Sequence, residues 1–564
     1  MNRDYFRRMV DGGPLILGST VVLGNNKNEC PENWILEHSD HIKSMQRSYR
    51  DAGCDIICTL TSGANRYRLQ AFGLASQTAQ VNRELMLRCV DVQTGTIVFA
   101  TCSTTGLSVE PFGDLTFEDA VRCFKEQGTS LAENGAAGFV IENMRCIQEA
   151  RAALIALREI GDYPVIVHLI LESDNRTAGE TDALSALLTL QSLGADAVGF
   201  STTLDNENLC AVISEIKQFA AIPLFAYPSA KGLAPDEYVA SVKKLVDAGV
   251  NLIGGGDCVT TDHIGAIAGT IHRSAFIRPV VKSVSAVTSA KKTVLLGGNR
   301  PFAVVGERIN PTGKKNLQAN LREGSLDIVR QFALEQTMRR ASILDINMGL
   351  SGIDEMSMML RAVNLLSTVT HLPLCIDTTK PDVVEAALRC YPGRAIVNSV
   401  SGEKERIEQT LPVAARYGAM FIGLPLTDAG IPSTVKERIN VVDTIMSAAS
   451  SYGCTVDDMA VDGLVMTVSS NPSAAIDTLD LIKWCSGTLH SNTIVGLSNV
   501  SFGMPERHWI NGAFLGMAMG CGLTMAISNP SSDGIMATVQ AYNCLRGFDY
   551  EMLLEKGRYS EFAK

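Results

Sequence analysis

The sequence has no long apolar run, no excess of basic charge and no closely spaced cysteine pairs. No stretch of eighteen uncharged apolar residues occurs in the 564 residues, which predicts that the chain has no membrane span. The first eight residues lack the apolar segment of a signal peptide. The net charge of −11 disfavours a general nucleic-acid binder, because such a protein needs a basic face. We therefore expect neither a membrane nor a nucleic acid as a partner.

The fifteen cysteines contain no Cys-x-x-Cys pair, a pattern typical of a reducing cytoplasm and not of a disulfide framework. Hydrophobic residues make up 46% of the chain and charged residues 19%, which is typical of a globular protein. A chain of this length exceeds what one hydrophobic core can organise. We expect a cytoplasmic protein with more than one domain.

A unit of amphipathic helix, small-residue turn and apolar strand recurs along the chain, for example at 51–57, 193–199, 247–253 and 417–422. Helices that alternate with buried parallel strands predict an α/β fold with right-handed crossovers. Each half holds roughly the number of residues typical of one (β/α)8 TIM barrel. An open doubly wound sheet is the alternative, but no Gly-x-Gly-x-x-Gly follows a strand at the start of either half. The sequence predicts two TIM barrels in tandem.

The boundary between the two barrels falls in a segment without helical period. Residues 281–292 are rich in Ser and Lys, which is typical of a linker. We predict a first barrel over 1–280, a linker over 281–300 and a second barrel over 301–564.

Five apolar runs in the second half end in an Asp or Asn. A single Asp or Asn is an ordinary turn residue, but five at strand ends are better explained as one pocket, because the carboxyl ends of parallel strands meet at one edge. The carboxylates accept paired N–H groups, and the amides both donate and accept. The set suits a flat heterocycle such as an amino-pyrimidinone. Its members are Asp345, Asp377, Asn398, Asp462 and Asn499.

The second half resembles the pterin-binding barrel of cobalamin-dependent methionine synthases and the methyltetrahydrofolate:corrinoid methyltransferases. The resemblance spans 300 to about 540 and rests on several motifs in the same order. One departure is Asp462-Gly463, where the family usually has Asp-Pro. The motifs lie at 306–310, 344–347, 376–377, 397–399, 496–503, 505–507 and 511–515.

The resemblance implies that the second barrel binds methyltetrahydrofolate or tetrahydrofolate. Asn499 stands at the family's catalytic Asn, which implies a hydrogen bond that strengthens as N5 of the folate gains a proton. Asp377, Asn398 and Asp462 are expected to hold the pterin ring. The full set of residues expected to bind the folate is Glu307, Asn310, Asp345, Asn347, Asp377, Asn398, Asp462, Ser501 and Arg507.

The first half resembles, more distantly, the homocysteine-binding barrel of methionine synthases and betaine–homocysteine methyltransferases. The matching stretches are 59–66, with Leu60 and Ser62 as departures, 141–144 and 251–263. The family activates a thiol with Zn²⁺ held by three Cys.

This chain lacks the family's zinc ligands. Ser201-Thr202 stands in place of the first Cys, and Gly256-Asp257 stands in place of the Cys pair, with Cys258 one position later. The opening Asp-Gly-Ala motif is replaced by residues 17–20. Loss of the thiolates removes the soft coordination that selects zinc, so we expect no zinc. A rebuilt site from Asp257, Cys258 and His263 is the alternative.

Methionine synthases also carry a cobalamin domain with a His in an Asp-x-His-x-x-Gly motif. None of the eight His of this chain has an Asp two residues before it. We therefore expect cobalamin or another corrinoid to be carried by a separate protein, although the sequence also allows a fragment of a longer enzyme.

The leading hypothesis is a methyltransferase that moves a methyl group between N5 of the folate and the cobalt of a corrinoid protein in trans. The first barrel would then be repurposed or inactive towards homocysteine. Two alternatives stay open: a two-domain fragment of a methionine synthase, and a non-catalytic folate-binding or scaffold protein.

Overall fold

The computed structural model of the chain describes residues 1–18, 29–90, 96–274, 277, 279 and 284–548. Parts of the predicted opening motif (19–20) and linker (281–283) lie outside these residues. The chain divides into two compact units, Met1–Lys282 and Ser283–Lys564. Within the described residues, no helix is long and apolar enough to cross a membrane.

The first unit is a closed barrel of eight parallel strands in sequential order. All eight strands are short, and their apolar side chains fill the interior. The strands are β1 (Leu15–Gly18), β2 (Ile56–Cys58), β3 (Ile97–Ser103), β4 (Gly138–Met144), β5 (Val165–Leu171), β6 (Ala197–Thr202), β7 (Leu224–Ala226) and β8 (Val250–Gly254).

Helices alternate with these strands and cover the barrel. They are α1 (Arg3–Asp11), α2 (Pro31–Glu37), α3 (Ser39–Asp51), α4 (Arg66–Gln70), α5 (Thr78–Val90), α6 (Phe117–Glu133), α7 (Ile147–Ile160), α8 (Ala183–Ser192), α9 (Asn206–Ile216), α10 (Pro235–Ala248) and α11 (Thr261–Ile271). Short 3₁₀ turns lie at Ala75–Gln77 and Lys217–Phe219.

The second unit is also a closed barrel of eight parallel strands in sequential order. A two-stranded antiparallel hairpin, β9 (Ala286–Thr288) and β10 (Thr293–Leu295), precedes it. The barrel strands are β11 (Ala303–Ile309), β12 (Ile343–Ile346), β13 (Leu374–Asp377), β14 (Ile396–Ser401), β15 (Met420–Leu424), β16 (Met459–Asp462), β17 (Asn492–Gly496) and β18 (Met525–Ser528).

The helices of the second unit occupy the same outer layer. They are α12 (Lys315–Arg322), α13 (Asp327–Met338), α14 (Glu355–Val369), α15 (Pro381–Cys390), α16 (Lys404–Gln409), α17 (Leu411–Arg416), α18 (Val435–Ser451), α19 (Ala474–Trp484), α20 (Arg507–Gly520) and α21 (Asp533–Leu545). Short 3₁₀ turns lie at Val456–Asp458 and Leu497–Asn499, and a π turn lies at Cys485–Leu489. Two tandem (β/α)8 barrels, as predicted, are therefore confirmed.

Each barrel is closed at its amino-terminal end by the segment that precedes its first strand. In the first unit, Phe6 of α1 is fully buried and its ring centroid lies 5.8 Å from that of Phe99. In the second unit, Val287 of the hairpin packs into the apolar core beneath Val305 and Ile396. The two closures leave the carboxyl-terminal ends of the strands as the open faces where TIM barrels place their sites.

Part of the segment predicted as a linker is thus folded into the second unit. Arg394, which is 5% exposed, fixes the hairpin by donating hydrogen bonds to the carbonyl oxygen of Ala286 at 2.9 Å and of Val284 at 3.2 Å. The Ser/Lys-rich composition did not indicate that this segment is folded, because Arg394, which bonds to it, lies about a hundred residues later in the chain.

Candidate functional site in the second barrel

The polar residues predicted at strand ends lie at the carboxyl-terminal mouth of the second barrel. Asp377 and Asp462 are the last residues of β13 and β16, while Asp345 and Asn398 lie within β12 and β14. The parallel pairing sets Asp377 opposite Asn398. These side chains come from four of the eight strands, and they lie at one mouth because all strands of a parallel barrel end at the same face.

Two carboxyl–amide pairs join different strands: one links β14 to β12, and the other links the segment after β12 to β13. The side-chain amide of Asn398 donates to Asp345 Oδ1 at 3.1 Å, and that of Asn347 donates to Asp377 Oδ2 at 3.0 Å. The oxygen of the Asn347 amide accepts from the backbone N–H of Gly349 at 2.8 Å, which fixes its orientation. Each carboxyl group is thus held in one direction by an amide and keeps further acceptor capacity for a ligand.

Burial makes these carboxyl groups reluctant to ionise. It raises the pKa of Asp345 to about 7, helped by the neighbouring Asp377 and opposed by the hydrogen bond from Asn398. It also raises the pKa of Asp377, where the Asn347 hydrogen bond opposes the change. Burial raises the pKa of Asp462 to about 6, although the backbone N–H of Leu464 donates to Asp462 Oδ1 at 2.7 Å. A ligand that brings N–H donors would stabilise the ionised forms.

Asn499 lies at the end of the 3₁₀ turn that follows β17. Its neighbours Leu497 and Val500 are buried in the core, while Asn499 is exposed. Its Nδ2 atom lies 3.1 Å from where a Cβ atom on Gly496 would be, so the amide folds back over the glycine. No hydrogen bond from another described residue engages this amide. Asn499 therefore presents an unused donor and acceptor at the mouth.

The structure places Glu307 in β11 and Asn310 directly after it. Burial raises the pKa of Glu307, opposed by the charge of Lys314, a hydrogen bond from Ser498 and the charge of Arg507. Asn310 Oδ1 accepts from the backbone N–H of Thr312 at 2.9 Å, so this oxygen already stabilises the turn that contains Asn310.

Ser501 and Arg507, expected to bind the folate, contact each other. Arg507 Nε donates to Ser501 Oγ at 3.0 Å, and its terminal nitrogen donates to the Ser498 carbonyl oxygen at 2.8 Å. Both bonds hold the turn that carries Asn499.

The sequence reasoning missed Lys314, Ser498 and Glu355 in this region. Lys314 Nζ donates to the carbonyl oxygen of Asn310 at 3.1 Å, and its charge acts on Glu307. The charge of Glu355 acts on Asp377. Ser498 lies inside the motif at 496–503 and Lys314 lies four residues after the motif at 306–310, which was the available signal, whereas Glu355 lies in the first turn of α14 without one.

The mouth of the first barrel is built differently, around one carboxyl group. Glu142 of β4 accepts hydrogen bonds from the hydroxyls of Ser62 and of Tyr227, the latter at 3.2 Å. Ser62 Oγ also lies 3.0 Å from Thr101 Oγ1. Burial raises the pKa of Glu142, and the two hydroxyls oppose the change. Side chains from β4, from the loops after β2 and β7, and from β3 are thus joined across this mouth.

The residues in place of the zinc cysteines do not form a thiolate site. Ser201 offers a hydroxyl, and Cys258 is exposed with its Sγ atom 3.6 Å from Asp257 Oδ1. His263 is engaged at both ring nitrogens, with Thr260 Oγ1 at 2.8 Å and the Leu233 carbonyl oxygen at 3.1 Å. Among the described residues, no group of three or more His, Cys, Asp or Glu could hold a metal ion. The donor set therefore does not fit zinc.

Two protein-family models match the chain. Residues 12–271 match homocysteine S-methyltransferase, and residues 306–529 match pterin binding enzyme. The methionine synthase of Mycobacterium leprae is 25% identical over 551 residues, and that of Mycobacterium tuberculosis is 23% identical over 540 residues. Each match covers 89% of this chain and 45% of the mycobacterial protein, so the chain spans about half the length of these relatives.

Solved structures resemble about half of the chain each. The metallated homocysteine methyltransferase MmuM from Escherichia coli aligns with 18% identity and a TM-score of 0.41, over 47% of this chain and 99% of that chain. A dihydropteroate synthase from Xanthomonas albilineans aligns with 15% identity and a TM-score of 0.37, over 47% of this chain and 98% of that chain.

The chain is thus similar to homocysteine S-methyltransferases over residues 12–271, to pterin binding enzymes over residues 306–529, and to methionine synthases over most of its length.

Proposed function

From this pair of domains we propose that the protein is a methyltransferase whose second barrel transfers a methyl group between N5 of methyltetrahydrofolate and the cobalt of a corrinoid. One observation carries the proposal: buried carboxyl–amide pairs and the unengaged amide of Asn499 lie at the mouth of a barrel that matches the pterin-binding family. The family matches support an enzyme of the methyltransferase type.

The pterin ring would be held by the buried acids. Its amino and ring N–H groups donate to carboxylates, and Asp377 and Asp462 at the ends of β13 and β16 offer such acceptors. Asp345 and Asn398 form one edge of the same mouth, where the amide can also donate to a ring acceptor. Hydrogen bonds from the bound ring would offset the unfavourable free energy of burying these carboxylates. This explains why acids occur in an otherwise apolar barrel.

Asn499 would act on the reacting nitrogen. N5 is a poor leaving group until it gains a proton, so a hydrogen bond that strengthens as the proton arrives lowers the barrier. A neutral amide suits this role because it can serve N5 in either protonation state by presenting its oxygen or its nitrogen. The corrinoid supplies a strongly nucleophilic cobalt as methyl acceptor; the protein contributes orientation and this hydrogen bond.

The corrinoid would be presented from outside these 564 residues, because none of their eight His lies in an Asp-x-His-x-x-Gly motif. The exposed Phe502 and the half-buried Met504 lie beside Asn499 and would contact the incoming carrier. Such a contact should be transient, since a stable complex would block folate exchange.

Methyl transfer to homocysteine is the second candidate, favoured by the match of residues 12–271 to homocysteine S-methyltransferase. Against it, Ser201 and Asp257 replace thiolate ligands, and nothing else in the described mouth lowers the pKa of a substrate thiol. We therefore assign the first barrel a role other than thiol activation.

The test compares the wild type with Asn499→Ala for folate affinity and for the rate of methyl transfer to cob(I)alamin. Loss of one preorganised hydrogen bond should lower kcat by about ten- to a thousandfold, while the folate Kd changes much less. Asn440→Ala, an exposed amide on α18, is the matched control and should leave both unchanged. Equal losses of affinity and rate would mean that Asn499 only binds the ring.

A further inference from the structure

In the turn that carries Asn499, every carbonyl oxygen from Leu497 to Phe502 accepts a hydrogen bond, while the side-chain amide of Asn499 is left unengaged. Three of these bonds are internal: the N–H groups of Val500, Phe502 and Met504 donate to the carbonyl oxygens of Leu497, Asn499 and Ser501 at 3.4, 3.1 and 3.0 Å, respectively. The turn therefore has a defined shape before any ligand arrives.

Neighbouring segments supply the remaining bonds. The loop after β16 holds the far side of the turn: Val468 N–H donates to the Val500 carbonyl oxygen at 3.0 Å, and Thr467 Oγ1 donates to that of Phe502 at 2.6 Å. The Ser469 hydroxyl donates to the same Phe502 oxygen at 3.1 Å. This side of the turn is held by neutral groups.

Arg507 holds the near side. Its guanidinium bonds to the Ser498 carbonyl oxygen at 2.8 Å and to Ser501 Oγ at 3.0 Å, residues that bracket Asn499 in sequence. Ser501 is fully buried, so its hydroxyl offers a fixed point. The rigid fork of a guanidinium can make both bonds at once, which a lysine ammonium on a flexible stem cannot reproduce.

Glu307 completes this side. Its carboxyl group lies near Ser498 and Arg507, which both oppose the rise in its pKa that burial causes. Because Glu307 belongs to β11, the first strand of the barrel contributes to the surroundings of the turn after β17.

We propose that Arg507 is a positioning residue, which fixes the Asn499 turn in its reactive geometry instead of binding the folate. This inference rests on the proposed function for its kinetic consequence, but not for its structural one. A hydrogen bond that must be aimed at N5 in the transition state is sensitive to small displacements of its donor, so loosening the turn should lower the rate more than the affinity.

The first experiment measures backbone hydrogen exchange over 497–504 in the ligand-free protein. Arg507→Met and Arg507→Lys should each raise exchange at Phe502 and Met504 by about tenfold or more, because both lose the fork. Arg361→Met is the matched control: Arg361 is an exposed side chain that donates to the Gly324 carbonyl oxygen at 2.7 Å. It should leave the turn unchanged. Unchanged exchange in both Arg507 variants would overturn the proposal.

The second experiment measures folate Kd and kcat for transfer to cob(I)alamin. Both Arg507 variants should lower kcat by about ten- to a hundredfold and change Kd by less than about threefold. In an Asn499→Ala background, Arg507→Met should cost less than about threefold further, because the group being positioned is absent.

Three results would contradict the role. A Kd that weakens as much as the rate falls would make Arg507 a folate ligand. Full recovery by Arg507→Lys would show that charge, and not the fork, matters. Additive losses with Asn499→Ala would show that Arg507 acts independently. If the wild type transfers no methyl group, the proposed function fails, whereas the exchange experiment still decides whether Arg507 holds the turn.

Discussion

The two barrels of this chain share one architecture but present opposite chemistry at their mouths. In the first barrel, the Glu142 carboxylate is already engaged by the hydroxyls of Ser62 and Tyr227. In the second barrel, the acids are held by amides that leave acceptor capacity, and Asn499 is unengaged. The difference teaches that the fold supplies the position of a site, while the partners of each strand-end side chain decide whether a ligand is needed to complete it.

The two barrels also differ in the contacts that close their amino-terminal ends. Phe6 closes the first barrel by apolar packing, whereas Arg394 closes the second through carbonyl oxygens and an ion pair with Asp458. Arg394→Met would leave the buried partners unpaired and should lower the free energy of unfolding of the second unit by about 3–5 kcal/mol. Urea unfolding followed separately for each unit checks this.

Phe6→Ala is the counterpart and should destabilise the first unit by a similar amount, about 3–5 kcal/mol, through cavity formation. Arg546→Met serves as the control, because that exposed side chain donates only to the Gly298 carbonyl oxygen. A loss shared equally by both units in either variant would contradict the separate closures.

The buried acids of the second mouth should make its stability depend on pH. Asp345 has a pKa of about 7 in the folded protein against 3.8 as its ordinary value, so the folded state holds a proton that the unfolded chain releases. The free energy of unfolding therefore falls as pH rises through this interval. Asp345→Asn should stabilise the second unit at pH 8 by on the order of 2 kcal/mol and have almost no effect near pH 4.

Glu142→Gln in the first barrel is the comparison for that experiment. Hydroxyls from Ser62 and Tyr227 offset the effect of burial on the pKa of Glu142. The effect of Glu142→Gln on the free energy of unfolding should therefore differ less between pH 4 and pH 8 than the effect of Asp345→Asn. The same Asp345→Asn protein should bind folate more weakly. If Asp345→Asn and Glu142→Gln change the pH dependence of stability by the same amount, the proposed difference between the mouths is wrong.

The smallest expected effect concerns metal. Protein purified without added metal should contain well under one equivalent of zinc, because Ser201, Asp257 and Cys258 do not offer three thiolates. Elemental analysis measures the content. Stoichiometric zinc that is lost on changing Asp257 or Cys258 would contradict this and favour homocysteine chemistry.

The sequence was sufficient to predict both barrels and the strand ends of the second mouth, because apolar strands and small-residue turns repeat locally. It did not reveal the partner of each side chain. The hairpin at Ala286–Leu295 depends on Arg394, and the turn of Asn499 depends on Arg507. No repeating local sequence pattern indicates either contact. The first barrel's lack of activity towards homocysteine, the corrinoid carrier and a cytoplasmic location stay predictions.

The central claim is that the second mouth transfers methyl groups while the first does not activate a thiol. The most direct test supplies methyltetrahydrofolate with cob(I)alamin and homocysteine to the purified protein and follows both methylated products. We expect methylcobalamin to accumulate at a rate that depends on Asn499, without enzyme-dependent formation of methionine. Absence of methylcobalamin despite normal folate binding, or methionine formed by the first barrel, would contradict the account.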